Sequence, residues 1–183
     1  TNVTATNCWN GKAYLPASET LDGRGYGSGN NVRVFRYADV LLMNAEAKKL
    51  MATNSHFVNP SGLHDDNHYT TAYDLYLIFN ECIKHDEFVK IINSSSYTAH
   101  ITGADGTKRD VKWEPTNYYA KGEATPPDNV TIIGGKTGTT KGAGNCLILL
   151  TKDSSGNPYI SIIMGAGSKP LLYQNMTSML SKI

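Results

Sequence analysis

The chain has 183 residues, of which 40 % are apolar and 18 % charged, with 17 lysines and arginines against 16 aspartates and glutamates. That balance suits one ordinary globular domain with a real core and excludes a disordered or fibrous chain. A formal net charge of +1 excludes the basic excess that nucleic-acid binding needs, so recognition by charge rests on a few placed residues. The three cysteines, Cys8, Cys82 and Cys146, match no zinc or redox spacing; the last two sit in apolar runs and are expected to be small buried hydrophobes. No segment approaches the length of a membrane span, so membrane association is not encoded here. With no initiating Met and no signal-peptide pattern, Thr1 is expected to be an internal start.

Residues 1 to 37 are rich in Gly, Asn and Tyr, and the run from Asp22 to Asn31 has no apolar periodicity, so it reads as loop. Val40, Met43, Ala47 and Leu50 then follow helical spacing, which predicts a helix over about 38–51. A polar loop follows over 54–68. Thr71 and Asp74 form a capping pattern ahead of Ala72, Leu75, Tyr76, Phe79, Cys82 and Ile83, the expected buried face of a second helix. A short helix carries Phe88, Ile91 and Ile92. The period then switches to two: Tyr97, Ala99 and Ile101, a Gly103-to-Gly106 turn, and Val111 with Trp113 predict a partly exposed hairpin. Pro115 and the Pro126-Pro127 pair bracket a loop. Three strands are expected over 130–139, 145–151 and 159–165, with connectors short enough for antiparallel neighbours. A closing helix from about Pro170 carries Leu172, Met176, Met179, Leu180 and Ile183 on one stripe. Helices followed by an antiparallel sheet and closed by a helix make the fold class α+β.

The chemistry concentrates in Gly135-Lys136-Thr137-Gly138-Thr139-Thr140, at the end of a predicted strand. Lys136 supplies a positive charge, and the hydroxyls of Thr137 and Thr139 can donate hydrogen bonds to an anion. Gly138 lacks a side chain, so a ligand backbone can lie close to the strand edge. A free backbone N–H near Thr139 can support a developing oxyanion. The bland alternative is an ordinary strand end with an exposed lysine. His64, Asp65, Asp66 and His68 have metal-ligand chemistry but lie in a loop without fixed geometry, so no metal and no cofactor are expected. Tyr14, Tyr118 and Tyr119 are candidates for stacking on sugars or peptides.

In context these residues resemble the serine D-alanyl-D-alanine carboxypeptidases, low-molecular-mass penicillin-binding proteins of the β-lactamase/transpeptidase-like fold. The loop from Thr53 to Leu63, the His68-to-Asp74 helix start and the Gly135-to-Cys146 segment look, in that order, like that family's loop, helix start and third active-site motif. The resemblance implies that Lys136, with Thr137 and Thr139 as helpers, binds the terminal carboxylate of a peptidoglycan stem peptide or of a β-lactam. It also implies an extracytoplasmic setting. The family's nucleophile is a serine three residues before a lysine. No lysine of this sequence has serine at that offset: Ala45 precedes Lys48, Glu46 precedes Lys49, Glu87 precedes Lys90 and Ala166 precedes Lys169. Truncation and inactivity are the expectations. Ser28-Gly29-Asn30 spells the family's second motif, Ser28 and Asn30 being its two named positions, but its flanks and spacing do not fit and it is read as coincidence. Trp9 to Pro16 and Gly23 to Met43 carry a second resemblance, to the C-terminal region of SusD/RagB glycan-binding lipoproteins. The expected division is therefore a loop-rich SusD-like segment over 1–47 and a carboxypeptidase-like unit over 48–183. The alternatives to the carboxypeptidase reading are a non-enzymatic glycan-binding fragment and a fusion without function.

Overall fold

A computed structural model describes residues 37–103 and 106–183, with side chains from residue 40 onward. Among the described residues, five helices and five strands run in the order α1 (Tyr37–Lys49), α2 (Ala72–Cys82), α3 (Asp86–Ile92), β1 (Tyr97–Thr102), β2 (Lys108–Trp113), α4 (Tyr118–Lys121), β3 (Thr131–Thr140), β4 (Gly144–Lys152), β5 (Pro158–Ala166) and α5 (Lys169–Leu180). The class is α+β with antiparallel sheets, as the order of periodicities predicts. No helix among the described residues is long and apolar enough to cross a membrane.

Strands β3, β4 and β5 form one antiparallel sheet in that spatial order, which makes β3 an edge strand among the described residues. The β3–β4 register pairs Gly135 with Leu149, Thr137 with Leu147 and Thr139 with Asn145. Because successive side chains alternate faces, the odd-numbered positions share one face of the sheet. Leu147 and Leu149 on that face pack with Leu172, Tyr173, Met176 and Leu180 of α5, and this is the core. Leu149, Met176 and Leu180 are completely buried. The opposite face receives α3 against β3 and α2 against β5. Gly134 is obligatory there: a Cβ would lie 2.2 Å from the Ile92 carbonyl oxygen. The predicted stripe of α5 holds, with Met179 and Ile183 partly buried beside it. The start of α5 comes from Ser168, whose hydroxyl accepts the Leu171 N–H, with Pro170 in the first turn.

In α2 the Thr71 cap forms as expected, its hydroxyl accepting the Asp74 N–H at 3.1 Å. The predicted face is only partly right. Ala72 and Tyr76 are exposed, whereas Asp74 is fully buried. The physical reason is local: Asp74 Oδ2 accepts from the Asn54 N–H at 2.8 Å and the Ser55 hydroxyl at 2.7 Å, so this carboxylate pins the preceding loop to the helix. That loop is ordered, with an antiparallel bridge between His56 and Tyr69. Asn44 ties α1 to it, donating to the Phe57 carbonyl and accepting the Phe57 N–H. In α3, Phe88 packs edge-on against Phe79, but Ile91 is exposed. Cys82 and Cys146 are half-buried, not buried as apolar context suggests. The β1–β2 hairpin is an exposed ribbon, with Tyr97 opposite Trp113 in a parallel stack.

Candidate functional site

Strand β3 delivers its Lys136–Thr139 run to a cleft of about 310 Å3 beside α5. The lining comprises Thr116, Lys136, Thr137, Gly138, Thr139, Cys146, Lys169, Leu172 and Tyr173. The four residues predicted from the sequence are thus together, on an edge strand. Among the described residues that line it, two are lysines and none carries a carboxylate. A cleft so composed attracts an anion.

Strand alternation divides the four. Thr137 and Thr139 share the α5 face, and Lys136 and Gly138 belong to the other. A ligand contacting all four therefore lies along the strand edge and not on one face of the sheet. The Lys136 ammonium donates to the Thr137 carbonyl and its side chain is exposed. A Cβ added at Gly138 would have nothing within 4 Å, so the space beside that backbone is open. Thr139 is less free than expected: its hydroxyl donates to Asn145 Oδ1 at 3.3 Å, and the Asn145 amide donates to the Ala166 carbonyl at 3.0 Å. Thr137 shares a hydrogen bond of 2.5 Å with the Thr116 hydroxyl.

Apart from Cys146 on the paired strand β4, the cleft residues missed by sequence reading come from two remote segments, 116–121 and α5. Within the bracketed loop, Asn117 is buried and accepts the Tyr119 N–H, capping the single turn α4. Tyr173 anchors that turn to α5. Its ring stacks on Tyr118 with centroids 4.4 Å apart at 6°, and its hydroxyl accepts the Tyr118 N–H at 3.0 Å. The Tyr119 hydroxyl meets Thr177 at 2.8 Å. Burial raises both the Tyr119 and the Tyr173 phenols above their ordinary range, so both remain protonated donors. Tyr118 and Tyr119 are therefore structural members of the α4–α5 contact, not the ligand-stacking pair their sequence context suggests. Lys169 lies 6.0 Å from the Tyr118 ring centroid. An Asn immediately before the Tyr118-Tyr119 pair is the one local signal for α4; nothing local signals its docking on Tyr173.

Ser28, Asn30, Tyr14 and Cys8 lie outside the described residues. In the 54–68 loop, His68 Nδ1 accepts the Val58 N–H and His64 stands 3.5 Å from Asp66. Among the described residues no three His, Cys, Asp or Glu side chains are grouped to hold a metal.

Comparison with known proteins bears on the family of the chain. A family model for D-alanyl-D-alanine carboxypeptidase matches residues 36–168. The chain is 27 % identical over 179 residues to D-alanyl-D-alanine carboxypeptidase DacF of Bacillus subtilis, covering 91 % of this chain and 42 % of that protein. It is 25 % identical over 157 residues to a D-alanyl-D-alanine carboxypeptidase of a Streptomyces strain, covering 85 % and 52 %. A crystal structure of a Streptomyces DD-transpeptidase superposes with a TM-score of 0.72 at 25 % identity, over 85 % of this chain and 57 % of that one. The chain thus spans about half the length of the relatives it matches. The family match begins at residue 36 and takes in the Arg36-to-Met43 run that sequence reading gave to the glycan-binding lipoproteins; the comparisons lend that second resemblance no support. With a match over most of its length and the cleft on its edge strand, this chain belongs to the D-alanyl-D-alanine carboxypeptidase family.

Proposed function

We propose that the chain binds the carboxylate end of a peptidoglycan stem peptide, or the carboxylate of a β-lactam, as the substrate-gripping part of a D-alanyl-D-alanine carboxypeptidase. The observation that carries the reading is the Lys136-to-Thr139 run on a strand that is, among the described residues, at the sheet edge, in a cleft whose described lining has two lysines and no acid. Lys136 attracts the carboxylate. Thr137 donates a hydrogen bond to it. Gly138 lets the peptide backbone close on the strand, and Thr139 contributes chiefly through its backbone, since its hydroxyl already serves Asn145. The working unit is residues 48–183 together with α1, which Asn44 fastens to the loop after it. Because peptidoglycan lies outside the cytoplasmic membrane, the proposed site of action is extracytoplasmic.

In a complete serine carboxypeptidase a serine attacks the D-Ala-D-Ala carbonyl, D-alanine leaves, and water releases the acyl group. These 183 residues contain no Ser-x-x-Lys, so they supply grip without attack. The purified chain is expected to bind an N-acyl peptide ending in D-Ala-D-Ala reversibly and to take no covalent label from a fluorescent penicillin. Gel-stable labelling would overturn the non-catalytic part; no binding of either ligand would overturn the grip.

A further inference from the structure

Resting on that reading, we infer that Thr116 is a positioning residue, whose hydroxyl aims the Thr137 hydroxyl at the ligand anion. The two oxygens are 2.5 Å apart. Each hydroxyl owns one proton and can accept as well as donate. A carboxylate only accepts, so Thr137 must spend its proton on the ligand. Its oxygen is then free to accept, and Thr116 must be the donor within the pair. The polarity of the relay follows: Thr116 to Thr137, Thr137 to the anion. Such a chain strengthens its terminal bond, because a hydroxyl that accepts becomes a better donor. Thr139 cannot take this part, since its own proton goes to Asn145.

The surrounding structure holds Thr116 in place. Pro115 restricts the backbone on one side. On the other, buried Asn117 caps α4, and the stack and hydrogen bond to Tyr173 dock that turn on α5, which also lines the cleft. Thr116 itself is exposed and adds little to the core, so its removal touches binding and not folding.

The test uses the intact chain and an N-acyl tripeptide ending in D-Ala-D-Ala, measured by calorimetry. Thr116→Val is expected to weaken binding roughly 3- to 10-fold, the range for one neutral hydrogen bond, with an unchanged melting temperature. Thr116→Ser restores the affinity because it keeps the donor. In a Thr137→Val background, Thr116→Val has no further effect, which a merely structural role would not produce. Wild-type affinity in Thr116→Val, or an undiminished loss in the Thr137→Val background, overturns the inference. Methyl-group scalar couplings give a readout without ligand: Thr137 occupies one χ1 rotamer in the wild type and averages in Thr116→Val. If the peptide fails to bind the wild type while this rotamer depends on Thr116, the carboxylate reading fails and the positioning role stands. A rotamer indifferent to Thr116 refutes the positioning role.

Discussion

Two glycines three positions apart in β3 should respond in opposite ways to the same methyl group. At Gly135 an added Cβ would sit 2.2 Å from the Ile148 carbonyl oxygen and 2.8 Å from Leu149 Cδ2. The first of these is backbone in the neighbouring strand and cannot swing aside. Overpacking of that kind costs about 1–3 kcal/mol, and a backbone clash belongs at the upper end. At roughly 2–4 °C per kcal/mol for a domain of this size, Gly135→Ala should lower the melting temperature by about 6–12 °C. At Gly138 the same methyl has nothing within 4 Å, and the backbone is not in the left-handed region. Gly138→Ala should therefore leave the fold intact and even gain about 0.4–1 kcal/mol by restricting the unfolded chain. Its cost falls on the ligand, because the methyl occupies the edge along which a peptide must lie; about a tenfold loss of affinity, or ~1.4 kcal/mol, is expected. Differential scanning fluorimetry and peptide calorimetry on the two variants separate fold from function. If Gly135→Ala melts with the wild type, the β3–β4 register is wrong. If Gly138→Ala binds as tightly as the wild type, no ligand backbone passes that position.

Lys136→Met removes the cleft's charge at the strand edge and should weaken peptide binding about tenfold, the lower range for a charge-assisted bond at an exposed position, while abolishing part of its salt dependence; affinities at two ionic strengths check this. Tyr173→Phe keeps the stack on Tyr118 but strands its N–H, and should cost about 1 kcal/mol in urea unfolding together with weaker peptide binding. Asp153 holds the β4–β5 turn: the Asn157 side chain, then backbone N–H groups of Asn157 and Ser155, keep its carboxyl below the ordinary range. A pKa depressed in the folded state stabilises above the unfolded value and loses that stability as pH falls through the folded one. Acid unfolding of Asp153→Asn should accordingly lack this step, read as a shallower loss of melting temperature between roughly pH 4 and the acid limit.

Much of this molecule is local and was therefore legible in the residues themselves. The alternation that made the β1–β2 hairpin, the short connectors that made β3, β4 and β5 antiparallel neighbours, the cap at Thr71 and the stripe of α5 each depend on neighbours within one turn or one hairpin. So did the placement of Lys136, Thr137, Gly138 and Thr139 on one strand, because residues adjacent in a chain stay adjacent in a strand. What lay beyond a local reading is everything that faces those residues. The burial of Asp74 answers to Asn54 and Ser55, about twenty positions earlier. The two tyrosines of α4, which in the sequence look free to stack on a ligand, are taken by Tyr173 and Thr177 more than fifty positions away. The Thr139 hydroxyl donates to Asn145 only because the hairpin folds back in that register. Strand identity is written in a period of two, but the opposite wall of a cleft is built from segments distant in the chain, and only packing around the Leu147–Leu149 core brought Thr116 and Lys169 to the strand that carries the chemistry.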